Sequence, residues 1–157
     1  MPKKSQHIKR VLQLFREMHG DEVIPFNKML GLRLEFLDED SVCMKFEMKE
    51  DLIGNIMEKA LHGGVISAAL DTAGGFIAGI GIMKKTDGLQ NEQIIKRISK
   101  MGTIDLRVDF LRPGKGKYFL ATGSIMRMGK KVAVTRMKLH NDKGSLIAVG
   151  TGTYMVG

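Results

Sequence analysis

The sequence predicts an α+β domain in which an antiparallel sheet of about six strands wraps one long buried helix. Two observations carry that prediction. A nearly unbroken apolar run from Val65 to Met83 holds a single charge, Asp71. Around it lie segments in which apolar and polar residues alternate with period two, as strands do when one face meets a core and the other meets water. Such a sheet needs an apolar cover, and the Val65–Met83 run is the segment suited to supply it.

Taken in order, the elements begin with an amphipathic helix over Ser5–His19. There Ile8, Val11, Leu12, Phe15 and Met18 fall at helical spacing and Gly20 ends the pattern. Pro25 to Gly31 reads as a connection. Leu32, Leu34 and Phe36, then Val42, Met44, Phe46 and Met48, alternate with polar residues on either side of an Asp-Glu-Asp turn, which predicts a hairpin. The central helix starts at about His62 to Gly64. Its length approaches that of a membrane span. Asp71 and the glycines at 74, 75, 79 and 81 nevertheless favour the buried centre of a soluble domain. Ile94, Ile95 and Ile98 mark a short helix over Gln90–Lys100. Period two then returns in Thr103–Phe110, which Arg112-Pro113-Gly114 breaks. Tyr118–Met128, Lys131–His140 and Ser145–Val156 follow as a meander, with turns at Gly129 and Asn141–Gly144. No repeat or linker divides residues 1–157, so a single domain is expected.

Composition narrows the function. One cysteine, Cys43, excludes an internal disulfide framework, and four scattered histidines offer no metal-ligand spacing. The start of the chain lacks an apolar signal core and a cleavage site, so a cytoplasmic protein is expected. A net charge of +8 suits an anionic partner. With no Trp, two Tyr and no nucleic-acid-binding motif, nucleic acid is not that partner. Gly-Ser-Ile-Met-Arg-Met-Gly-Lys-Lys at 123–131 misses the phosphate-loop spacing, and the helical glycines spell no dinucleotide fingerprint.

Chemistry concentrates in Asn55 and in His62-Gly63-Gly64 followed by Asp71. The first N–H groups of a helix have no intrahelical acceptor and sit at the positive end of its dipole. Glycines there let a carbonyl oxygen approach the N–H of Gly63 or Gly64, which would stabilise the oxyanion of an attacked thioester. Asp71, about two turns on, is a carboxylate in apolar surroundings. On physical grounds alone it fits a catalytic base or nucleophile and a structural hydrogen-bonding role equally well.

His62-Gly63-Gly64 with Asp71 nine positions after the histidine resembles the signature of the PaaI-like branch of hot-dog-fold thioesterases. MGTIDLRVDFLRPGKG, KVAVTRMKLHNDKG and TGTYMVG resemble the bacterial YigI-type acyl-CoA thioesterases, and the likeness runs from about Pro25 to the end. The resemblance implies a hot-dog fold and hydrolysis of medium- to long-chain fatty acyl-CoA, with aryl-CoA enzymes in the wider branch. No cofactor is needed, because coenzyme A belongs to the substrate. Asp71 would act as general base or nucleophile and Gly63 N–H as oxyanion donor. Gly64 would lie against the substrate, His62 would shape the helix start, and Asn55 would stand near the carboxylate or water. A Ser or Thr that orients the water finds no firm match, Ser99 being one candidate. Arg112, Lys115 and Lys117 lie where relatives hold the nucleotide end of CoA. The site would form between two subunits, giving a homodimer, and dimers pair into tetramers in many relatives. The competing classes are a hydratase on the same fold and an acyl-CoA sensor or carrier without turnover.

Overall fold

A computed structural model describes Gln13, Glu17, residues 24–85 and residues 90–157. The helix expected over Ser5–His19 lies outside the described residues, apart from Gln13 and Glu17, which share an i,i+4 hydrogen bond of 3.0 Å. From Ile24 onward the elements are α1 (Pro25–Leu30), β1 (Arg33–Leu37), β2 (Ser41–Glu47), a 3-10 turn (Glu50–Leu52), β3 (Ile53–Asn55) and β4 (Ala60–Leu61). Then come α2 (Gly63–Lys84), α3 (Asn91–Ile98), β5 (Gly102–Phe110), β6 (Tyr118–Met128), β7 (Val132–Asn141) and β8 (Leu146–Met155). Six strands form one antiparallel sheet in the order β1-β2-β6-β7-β8-β5, and β3 and β4 pair separately. This is the hot-dog fold.

The sheet wraps α2 because both surfaces are apolar where they meet. Leu70, Ala73, Ile77 and Ile80 of the helix are fully buried against Val42, Phe46, Phe119, Ala121, Met137 and Leu139 of the strands. Each large apolar side chain removed from water in this way contributes about 1.5–3 kcal/mol. Phe46 and Phe119 stack across β2 and β6 with ring centroids 5.2 Å apart. Close approach of helix to sheet depends on Gly123, where a Cβ would lie 2.8 Å from the carbonyl oxygen of Ala73. The α2 helix is long and apolar enough to cross a membrane, but 67% of its most apolar window is buried inside the domain. It is the core helix of this fold.

Two local expectations need correction. Pro25–Leu30, read as a connection, is helical. Pro25 stands at its start, Gly31 closes it in the left-handed region at φ 71°, and Asn27 and Leu30 are buried beneath it. The segment before His62, where the sequence pattern placed no strand, contains the β3–β4 pair, with the turn held by Glu58 N–H donating to Asn55 Oδ1 at 3.1 Å. At one end of the sheet β5 is an edge strand. Its Ile104 and Phe110 are 59% and 55% exposed.

Candidate active site

The start of α2 is fixed from three sides. Leu61 N–H donates to Gly114 O at 3.0 Å, and His62 N–H donates to Leu52 O at 2.8 Å. His62 is the N-cap, in extended conformation, and its Nδ1 accepts the N–H of Gly64 at 2.9 Å. That bond requires an unprotonated Nδ1, so His62 builds the helix start with the nitrogen closest to it. It also takes up the Gly64 N–H, which the sequence offered as a second oxyanion donor. Gly63 N–H, the first of the helix, has no acceptor among the described residues. It opens on a cavity of about 430 Å³ lined by Asn55, Leu61, Ile66, Phe110, Arg112 and Gly114, among others.

Asp71 faces a second cavity, of about 270 Å³, lined by Phe26, Asn27, Thr72, Phe76, Met101, Thr103 and Tyr154 among others. One carboxylate oxygen, Oδ1, accepts two hydroxyl bonds of 3.0 Å, from Thr103 on β5 and from Tyr154 on β8. No hydrogen bond reaches the other oxygen from any described residue. The arrangement pins the carboxylate at one atom and leaves the second free to face a ligand. Tyr154 is 1% exposed. Burial first, then the charge of Asp71 and the bond to it, push its phenol well above the ordinary tyrosine value, so it remains a donor.

This raised value predicts a stability effect. An unfolded tyrosine ionises near pH ~10. Above that pH the native state holds a proton that the unfolded chain has released, so stability falls as pH rises. In urea titrations above pH 10, wild type should lose about 1.4 kcal/mol per pH unit more than Tyr154→Phe. Equal slopes would contradict it.

The structure therefore gathers the residues singled out in the sequence into two places. Gly63, Asn55 and Arg112 share one cavity, and Asp71 lies in the other. Arg112 is exposed, with Nη1 donating to Leu146 O at 2.9 Å, which holds the guanidinium at the cavity rim. Lys115 is also exposed and pairs with Glu58, whose carboxyl it holds below the ordinary value. Lys117 is exposed and lines neither cavity, and its backbone N–H donates to Asp142 at 3.0 Å. Ser99 donates to the carbonyl of Lys96 at 3.0 Å and does not line the Asp71 cavity. Sequence reasoning missed Thr103 and Tyr154, which are register partners across β5 and β8.

Residues 58–148 match the Thioesterase superfamily. The chain belongs to that superfamily. The medium/long-chain acyl-CoA thioesterase YigI of Escherichia coli K12 is 44% identical over 134 residues, covering 85% of this chain and 86% of that protein. A crystal structure from Shewanella oneidensis, described as related to the thioesterase superfamily, is 46% identical. It superposes with a TM-score of 0.87 over 99% of both chains. The E. coli PaaI protein of the phenylacetic acid degradation operon shares the fold at 20% identity, with a TM-score of 0.75 over 96% of this chain and 95% of that one. The protein is a thioester hydrolase of the hot-dog fold. Among the described residues no group of three or more His, Cys, Asp or Glu side chains could hold a metal ion.

Proposed function

We propose that this thioesterase hydrolyses medium- to long-chain fatty acyl-CoA in the cytoplasm, as a homodimer whose two sites each draw on both subunits. Asp71 activates water or attacks the thioester carbon, and Gly63 N–H receives the oxyanion. The substrate class is supported by the 44% identity to E. coli YigI, named for medium- and long-chain acyl-CoA. Coenzyme A enters as part of the substrate, and no further cofactor takes part.

The observation that carries the shared site is the separation of the two groups. Gly63 and Asp71 are eight residues apart on one helix, which is about 12 Å along its axis. A reacting carbonyl needs its carbon about 3 Å from the attacking atom and its oxygen about 3 Å from the donor. One helix cannot meet both conditions. Two antiparallel copies of α2 related by a two-fold axis near Ser67, the midpoint, bring Gly63 of each opposite Asp71 of the other. The β5 edge supports the same axis, since Thr103 lies at Asp71, the Phe110 ring lies by Gly63, and the side of β5 away from β8 has no neighbouring strand among the described residues.

Arg112 on the rim of the Gly63 cavity is the best-placed cation for a CoA phosphate, because its planar fork binds phosphate through two hydrogen bonds. Arg112→Ala should raise KM about tenfold and leave kcat within about twofold, with the loss shrinking at high salt. An unchanged KM would remove Arg112 from the binding site. The reading as a whole is tested by measuring free CoA thiol released from short-, medium- and long-chain acyl-CoAs and phenylacetyl-CoA. Release that peaks among the longer fatty chains is expected. Binding without release would make the protein a sensor or carrier, and a peak at phenylacetyl-CoA would move it to the aryl-CoA enzymes.

A further inference from the structure

The geometry points to Tyr154 as a positioning residue whose buried hydroxyl, at the end of the last strand, decides which oxygen of Asp71 faces the substrate. This rests on the assignment of Asp71 as the catalytic carboxylate and adds a group outside the helix signature.

The slot that holds the phenol is built for it. On the inward face of β8, Ala148, Gly150 and Gly152 precede Tyr154, so three small residues are followed by one large ring. A Cβ at Gly152 would lie 2.6 Å from the ring of Tyr154. On the helix side a Cβ at Gly74 would collide with the hydroxyl itself, so only glycine lets the O–H pass between helix and sheet to reach the preceding turn. Arrived there, the O–H lies 3.0 Å from both Oδ1 and the backbone carbonyl of Asp71. The fully buried Thr135 of β7 stands beside the same Gly74 gap, its hydroxyl donating to Met137 Sδ at 3.1 Å. The result is a pair of hydroxyls, from Tyr154 on β8 and Thr103 on β5, converging on the same Oδ1.

The consequence is chemical. A carboxylate bound by two donors at one oxygen cannot rotate without breaking both bonds, so the second oxygen stays aimed at the cavity. The same donors stabilise the charged form that must accept a proton or attack carbon. Lining the cavity with Asp71 are Asn27 of α1, Thr72 of α2 and Thr103 of β5, none of which ionises, and Tyr154 of β8. In the proposed dimer His62 of the second protomer also approaches. It is common to wild type and to the variants below, so it cancels from their comparison.

The test compares kcat, KM and the pH dependence of kcat/KM for CoA release from one long-chain acyl-CoA. Tyr154→Phe keeps the ring in its slot and removes the donor. It should lower kcat about tenfold or more, keep KM within about twofold, and move the acid limb to higher pH. A second measurement guards against misfolding of that variant. The chain has two tyrosines, and Tyr118 lies on the opposite face of the sheet with Lys45 Nζ 4.2 Å from its ring centroid. Fluorotyrosine supplied to a Tyr118→Phe protein therefore labels position 154 alone, and fluorination strengthens the O–H as a donor. The acid limb should then move to lower pH.

Wild-type kcat and an unmoved acid limb in either protein overturn the positioning role, while CoA release by wild type and its loss in Asp71→Asn leave the thioesterase reading standing. Equal losses in kcat and in substrate affinity also overturn it, because they describe a general packing defect. No CoA release by wild type removes both readings together.

Discussion

Asp71→Asn should lower kcat for CoA release by about a thousandfold and leave the fold intact. Asparagine matches aspartate in shape, and its Oδ1 can still accept the bonds from Thr103 and Tyr154, each 3.0 Å in the wild type. The buried hydroxyl of Tyr154 therefore keeps its partner, and the penalty for an unsatisfied buried group does not arise. What changes is the atom facing the cavity. The amide nitrogen that replaces Oδ2 can neither take a proton from water nor attack a carbonyl carbon, so both routes open to the carboxylate close at once. Acyl-CoA affinity should remain within a few-fold of wild type, measured by calorimetry with the uncleaved substrate. If Asp71→Asn turns over as fast as wild type, the carboxylate has a structural role and the chemistry lies elsewhere in the cavity. Asp71→Ala should be as inactive and somewhat less stable, because the Thr103 hydroxyl loses its acceptor and Tyr154 keeps only the backbone carbonyl of residue 71.

How much of this was legible in the sequence depends on parity. A strand with unbroken alternation, Val42–Met48, sits where the period places it, and Tyr118–Met128 does so as far as a register shift between Ile125 and Arg127. So does α2, because a run with one charge in nineteen positions has only one place to go in a soluble domain. Thr103 was hidden by a register shift. Strict alternation groups it with Asp105, Arg107 and Asp109 on the outer face, but a bulge between Thr103 and Asp105 turns it toward the helix. One extra residue exchanges the two faces of a strand, and sequence periodicity does not show where it falls. Tyr154 carried a fainter signal, a lone large residue after alternating small ones, and a buried phenol needs a partner. Naming Asp71 as that partner takes the three-dimensional packing of β8 on α2. The short helix Pro25–Leu30 was signalled by proline at its first position and glycine after its last. At six residues it is too short for apolar periodicity to reveal.

Gly63→Pro should cost about a hundred- to thousandfold in kcat, the usual loss of one oxyanion donor. A backbone donor is normally beyond reach of substitution, but this one is an exception for three local reasons. Gly63 is the first residue of α2, where proline is well tolerated because the N–H has no intrahelical partner. His62 before it is already extended, at φ −63° and ψ 137°, as a residue preceding proline must be. A Cβ at position 63 would meet the Phe110 ring at 3.4 Å, an ordinary contact. The variant therefore replaces the N–H with ring carbons while the helix start is kept, and Gly63→Ala, which keeps the N–H with the same Cβ, separates loss of the donor from the effect of the Cβ. Mixed with Asp71→Asn, the pair also tests where the site is built. Unfolded together and refolded at equal amounts, two inactive chains should form heterodimers in about half of the dimers, each with one intact site. That site takes Gly63 from one chain and Asp71 from the other, so about a quarter of wild-type activity should return. A site contained within one chain would regain nothing. The proposed pairing of Gly63 and Asp71, which lie about 12 Å apart along one helix axis, predicts the first result.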